Sequence, residues 1–199
     1  METTLKTFEF WFDFGSPASY LAWTQIAGIE AATGARAVYR PMLLGGVFQA
    51  TGNHSPATIP AKGRYIFGDF DRFARRYGVP LNRNPHFPIN TLLLMRGAVG
   101  LQSGDADRFM AYCNAMFSAI WVESLNMNDP ATVGAALQKA SFDAQALLAL
   151  ANEPAVKDAL KAATQEAVAR GVFGAPTFFV GNQMLWGQDR IDFVKEALQ

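Results

Sequence analysis

The chain predicts an α/β frame interrupted by an all-helical insertion. Three observations predict it. An aromatic strand pattern runs into a turn and a helix within the first 35 residues, an apolar hairpin lies close to the C-terminal end, and helix-periodic segments fill the stretch between them.

The first strand covers residues 7–12, where Phe8, Phe10 and Phe12 alternate with Glu9 and Trp11. Asp13-Phe14-Gly15-Ser16 leaves that strand through a turn, and Pro17 suits the first turn of a helix over 18–33, with Leu21, Ile26 and Ile29 near one face. Ser16 then stands at the helix cap, beside unpaired backbone N–H groups and the positive end of the helix dipole. A phosphate, carboxylate or thiolate is stabilised at such a place. Thr33-Gly34 ends the helix, and Ala37-Val38-Tyr39-Arg40 reads as a second strand. In the middle, Tyr65, Ile66, Phe70, Phe73 and Tyr77 give residues 62–77 close to helical spacing. Further helical patterns fall near 89–102, 105–121, 129–139, 143–150 and 153–170, with entries at Asn128-Asp129-Pro130 and Ser141-Phe142-Asp143. Gly174-Ala175-Pro176-Thr177-Phe178-Phe179-Val180 is a turn through proline into an apolar strand. Gly181-Asn182 turns it back into Met184-Leu185-Trp186, ahead of Gly187-Gln188-Asp189-Arg190. The frame therefore takes residues 1–45 and 171–199 and the helical subdomain residues 46–170, with their junction a natural place for a ligand cleft.

Composition narrows the function classes. A chain of 199 residues suits one domain with an insertion, and 17 basic residues balance 17 acidic ones. That neutrality offers no electrostatic argument for nucleic acid or an acidic membrane. No apolar stretch is long enough to cross a bilayer and no leader pattern opens the chain. Cys113 is the single cysteine, so no internal disulfide forms, and a reducing cytoplasm is the expected setting. Lying among Phe109, Met116 and Phe117, Cys113 reads as a buried structural thiol. His54 and His86 lack metal-ligand spacing, so no metal is expected. Phe48, Trp121 and Trp186 read as core aromatics, or as walls of a flat apolar pocket.

A strand, a turn at a nucleophile position and a helix, followed late in the chain by Gly-x-Pro-Thr and a hairpin, resemble a thioredoxin-like fold. In that fold the proline is usually cis and faces the helix start. Here Ser16-Pro17-Ala18-Ser19 occupies the place of the Cys-x-x-Cys motif, so thiol–disulfide exchange at this site is excluded. Adding Tyr20-Leu21-Ala22, Gly52-Asn53, Pro60-Ala61-Lys62-Gly63-Arg64-Tyr65, Phe173-Gly174-Ala175-Pro176-Thr177 and Trp186-Gly187-Gln188-Asp189-Arg190, nearly the whole chain resembles the 2-hydroxychromene-2-carboxylate isomerase family. That family is related to kappa-class glutathione transferases and, more distantly, to DsbA-type oxidoreductases.

The resemblance implies a glutathione cofactor, an aromatic or conjugated acid as substrate, and a homodimer. It implies that Ser16 hydrogen-bonds the cofactor sulfur, that backbone around Ala175 and Pro176 pairs with the tripeptide, and that Asp189 holds the γ-glutamyl ammonium. Lys62 and Asn53 match positions facing glutathione or substrate, and Gln188 a position where relatives carry other small polar residues. Each residue has a plainer alternative. Ser16 and Asp189 would serve as helix caps, Pro176 and Asn53 as turn residues, and Lys62 as a solvated helix-end charge. The reaction implied is isomerisation by reversible thiolate addition, bond rotation and elimination. The alternatives are a kappa-like transferase or peroxidase using the same thiolate, or a non-catalytic thioredoxin-fold binding protein.

Overall fold

In the computed structural model, which describes residues 5–199, a four-stranded sheet carries the aromatic core. Strand β1 (Thr7–Phe12) lies at its centre, flanked by β2 (Arg36–Pro41) in parallel and by β3 (Thr177–Val180) antiparallel; β4 (Gln183–Trp186) completes the order β2-β1-β3-β4. The alternation in β1 sends Phe8, Phe10 and Phe12 to one face, where Phe178 of β3 joins them. Their rings pack closely, with Phe10 and Phe12 stacked at 5.3 Å. Trp11 is also fully buried, because the other face is covered as well: Met42, Val47, Ala167, Val172 and Phe179 enclose it. Glu9 survives between these aromatics because its carboxylate accepts from Trp11 Nε1 and pairs with Arg170, both at 2.6 Å.

The expected helix over 18–33 is two helices, α1 (Pro17–Trp23) and α2 (Ile26–Thr33). Thr24 breaks it: its hydroxyl donates back to the Leu21 carbonyl at 2.6 Å, while the Gln25 N–H bonds to Ala22 in a tightened turn. Gly34 closes α2 in the left-handed region at φ 71°. Helix α3 (Leu44–Thr51) answers to no sequence signal, since Gly45 and Gly46 depress its propensity and packing against α9 supports it instead.

Helices α4 (Pro60–Tyr77), α5 (Leu92–Gln102), α6 (Ala106–Trp121), α7 (Pro130–Lys139), α8 (Ala144–Asn152) and α9 (Pro154–Ala169) follow the sequence patterns with small shifts of their ends, and α10 (Ile191–Ala197) comes after the hairpin. Asp105, Asp129 and Asp143 each cap the helix that follows by accepting two N–H groups. Helix α6 drives Phe109, Tyr112, Cys113, Met116 and Phe117 into the same core as the sheet aromatics. The Cys113 thiol is fully buried, and burial pushes its pKa well up, which fits the structural role read from the sequence. Among the described residues, no helix is long and apolar enough to cross a membrane.

Candidate active site

The turn that leaves β1 is fixed from several directions. The Asp13 side chain is buried, and its carboxylate accepts from the Gly15 N–H at 2.8 Å, from the Thr91 hydroxyl at 2.7 Å and from the Leu44 N–H at 2.8 Å. Trp121 Nε1 donates to the Phe14 carbonyl at 2.7 Å, and the Phe14 N–H meets the Met95 sulfur at 3.4 Å. Helices α3, α5 and α6 thus all grip residues 13–15. Burial raises the Asp13 pKa above its usual value, with the three hydrogen bonds opposing that rise. Sequence reasoning gave Asp13 no role, and Thr91 none in holding this turn. The one available signal was a lone carboxylate inside the aromatic run Phe12-Asp13-Phe14.

Ser16 follows this turn and caps α1. Its hydroxyl oxygen accepts the Ser19 N–H at 3.1 Å and its proton is donated to the Ala175 carbonyl at 3.0 Å. Ser16 is therefore a helix cap and also a bridge to the proline turn, where the Ala175–Pro176 peptide bond is cis. The Ala175 N–H makes no hydrogen bond with any described residue. Ser19, at the position of the second motif cysteine, is fully buried, and its hydroxyl has no hydrogen-bond partner among the described residues.

Three of the other residues singled out from the sequence, Asn53, Gln188 and Asp189, gather around the same turn. Asn53 Nδ2 donates to the Phe173 carbonyl at 2.8 Å, two residues ahead of Ala175. The Gly187 N–H bonds to the Pro176 carbonyl at 3.0 Å, which sets Gln188 and Asp189 beside the proline. Gln188 is buried, and its carbonyl accepts the Tyr77 hydroxyl from the end of α4 at 2.6 Å. Burial and the Asp189 charge push the Tyr77 pKa up to about 12, so the phenol stays a donor at physiological pH. Asp189 is exposed and pairs with Arg190 at 2.6 Å; it does not cap α10, whose first residue is preceded by Arg190 without a side-chain capping bond. Lys62 stands apart. It is exposed on the first turn of α4 and has no ion-pair partner among the described residues.

Two glycines shape the turn. A Cβ on Gly174 would come within 2.6 Å of Trp186 Nε1, so only glycine lets that indole lie over the chain ahead of Ala175. Gly187 adopts φ 114°, and a Cβ there would run into the Asp189 carboxylate. Trp186 remains 48% exposed and packs on Phe173 with ring centroids 5.0 Å apart, forming an aromatic rim next to Ala175. Trp121, considered for a pocket wall, is structural instead, and Asn84 helps to hold its surroundings. Trp121 is fully buried, and Asn84 Nδ2 donates to the Ile120 and Leu125 carbonyls at 2.9 Å.

Fold and site together define a thioredoxin-like protein whose first helix opens on a serine instead of a redox-active dithiol. The chain belongs to the DsbA-like thioredoxin-domain family, whose model matches residues 7–199, and within it to the group of 2-hydroxychromene-2-carboxylate isomerases. It is 32% identical over 195 residues to 2-hydroxychromene-2-carboxylate isomerase of Sphingobium xenophagum, spanning 97% of this chain and 98% of that one. It is 28% identical over 214 residues to human glutathione S-transferase kappa 1, spanning 97% of this chain and 91% of the relative. A solved 2-hydroxychromene-2-carboxylate isomerase superposes with a TM-score of 0.84 at 29% identity, over 96% of this chain and 94% of that one. These relatives are enzymes by name, and they support a glutathione-related isomerase or transferase function for this chain.

Proposed function

We propose that the chain is a glutathione-dependent isomerase of 2-hydroxychromene-2-carboxylate or a related aromatic or conjugated acid. The observation that carries this reading is the Ser16 hydroxyl at the start of α1, facing the Ala175 carbonyl beside a cis-proline. The turn fits a tripeptide thiol, because the unpaired Ala175 N–H and the Ala175 carbonyl can pair with an extended backbone. Once another N–H satisfies that carbonyl, the Ser16 proton is free to turn toward an anionic sulfur. The helix N-terminus favours the same charge.

Glutathione, when bound, supplies a thiol that adds reversibly to the conjugated acid, allows rotation about the former double bond and departs, with no net redox change. Ser16 orients that sulfur and does not itself attack. Asp189 receives the γ-glutamyl ammonium in a charge-assisted hydrogen bond, with Gln188 beside it. Asn53 and Lys62 meet carboxylate oxygens of the cofactor or substrate. A cation in the first turn of α4 opposes the helix dipole, so the Lys62 charge does not serve the helix itself. The reading places the site where the frame of 1–45 and 171–199 meets the 46–170 subdomain, in a cytoplasmic homodimer.

Calorimetry of glutathione binding across pH, on the native chain and on Ser16→Ala, tests the reading. Saturable binding with a lowered, Ser16-dependent thiol pKa supports it, followed by glutathione-dependent isomerisation of a chromene carboxylate. No binding at millimolar glutathione overturns it. The likeness to human glutathione S-transferase kappa 1 favours transfer to an electrophile as a second reading. Product analysis separates the two, because transfer consumes glutathione and isomerisation returns it.

A further inference from the structure

We infer that a cleft between α3, α5 and α9, separate from the Ser16 turn, binds a small anionic amphiphile: a carboxylate carrying an apolar tail of medium length. The cleft encloses about 540 Å³. That lies within the roughly 300–1,000 Å³ typical of small-molecule sites. Its walls are apolar, from Leu43 and Ala50 on the α3 side, Leu92 on α5, and Leu160 and Val168 on α9. Three cations border it, Arg96, Lys157 and Lys161, against the single carboxylate of Asp158.

The charge is the informative part. Arg36, Arg40, Arg72, Arg83, Arg170 and Arg190 pair with carboxylates, whereas the exposed Arg64, Arg75, Arg76 and Arg108 do not, so what distinguishes the cleft is that three cations border one apolar space. None of the three cations at the cleft pairs with a carboxylate among the described residues, Asp158 included. A neutral hydrocarbon would fill the walls and leave those charges unanswered. A fully polar anion would answer them and bury no apolar surface. A molecule with both parts matches both, and lysine stems add apolar contact while their ammonium groups reach the anion.

The walls are also held in place before any ligand arrives. Thr164 Oγ1 on α9 accepts the Leu43 N–H at 3.0 Å and donates to the Leu160 carbonyl at 2.8 Å, which fixes α3 against α9. Preformed walls lower the ordering cost of binding. The second cleft, about 420 Å³ between α5, α7 and α8, has Arg96 as its only basic lining residue and lacks this concentration of charge.

The test is calorimetry of decanoate at fixed ionic strength without glutathione, with decanol as the uncharged control. Decanoate is expected to bind at least tenfold more tightly than decanol. The double variant Lys157→Glu/Lys161→Glu is expected to weaken decanoate at least tenfold and to leave decanol unchanged. Ala50→Trp, placed on the exposed side of α3 to fill the cleft, is expected to abolish binding of both. Equal affinity for decanoate and decanol, a charge reversal that changes decanoate affinity less than twofold, or full binding by Ala50→Trp would each overturn the assignment. Should the charge reversal lose its native circular dichroism, Ala50→Trp decides alone.

Discussion

The Ser16 hydroxyl and the Ala175 carbonyl oxygen meet at 3.0 Å although 159 residues separate them in sequence. This one contact joins the turn after β1 to the cis-proline turn before β3. Behind Ser16, Asp13 reaches the opposite way, to Thr91 ahead of α5 and to Leu44 at the start of α3. The position of the hydroxyl is therefore set by both ends of the chain and by the helices between them. A side chain held in this way is preorganised, which is what a site that orients a reactive sulfur needs.

Ser16 has two roles that different substitutions separate. Ser16→Ala removes both the hydroxyl and the cap, and loss of such a cap costs about 1 kcal/mol. Ser16→Gly removes the hydroxyl as well, but glycine at a cap costs only a few tenths of a kcal/mol. Both variants are expected to lose turnover by about ten- to a hundredfold, the scale of one hydrogen bond to a charged group at roughly 1.5–3 kcal/mol. Both also lose the bond to the Ala175 carbonyl, so both should lower the urea midpoint, Ser16→Ala the further by the cost of the cap. Turnover that tracks stability across the two variants would reduce Ser16 to a cap.

Asp13 gives a pH dependence of a less familiar sign. Burial raises its pKa above the usual 3.8, so the folded state holds the proton more tightly than the unfolded one. The stability this group contributes is fully present below that value and declines as pH rises through the folded pKa. Asp13→Asn cannot titrate. It also presents an NH₂ to one of the three donors that Asp13 satisfies, leaving that donor without an acceptor at a cost of about 1–3 kcal/mol. The variant should be less stable throughout, with the largest deficit near pH 4 and a smaller one at neutral pH. Urea unfolding across that range measures the deficit. A deficit that widens with rising pH would mean that folding lowers the Asp13 pKa instead of raising it.

Most of the frame was legible because period and punctuation agreed. Phe8, Phe10 and Phe12 announce a strand, Pro17 and Gly34 mark helix ends, and Asp129 and Asp143 mark caps. What escaped depends on contacts distant in sequence. Nothing local shows that Thr24 bends its hydroxyl back to Leu21, or that α3 forms through two glycines because α9 lies against it. In the site, Ser16 was legible as a cap, but its bond to Ala175 needs the fold. Thr91 shows the same limit, since it stands at the cap of α5 yet turns its hydroxyl to Asp13. Asp189 was read as a cap or a ligand group, and the structure spends its carboxylate on Arg190.

That exposed pair sets the expectation for Asp189→Asn. An ion pair at the surface contributes about 0–1 kcal/mol, so the variant should unfold within about 1 kcal/mol of the native chain. If Asp189 holds the ammonium of glutathione, the KM for glutathione should rise about tenfold while kcat at saturation changes little. The rise corresponds to one charge-assisted hydrogen bond weakened to a neutral one. Steady-state kinetics with glutathione varied at fixed substrate make the measurement. An unchanged KM would leave Asp189 as the partner of Arg190 only.

Ser19 offers the opposite case, a polar group whose removal should help. Its N–H is used by Ser16, but its hydroxyl is fully buried with no hydrogen-bond partner among the described residues. A buried hydroxyl left unpaired costs about 1–3 kcal/mol, and alanine is also the better helix former. Ser19→Ala keeps the backbone donor to Ser16 and removes the orphan oxygen. It should therefore raise stability by about 1 kcal/mol and leave turnover unaltered. Urea midpoints alongside turnover decide the matter. A fall in turnover with stability unchanged would show instead that the Ser19 hydroxyl takes part in the chemistry beside Ser16.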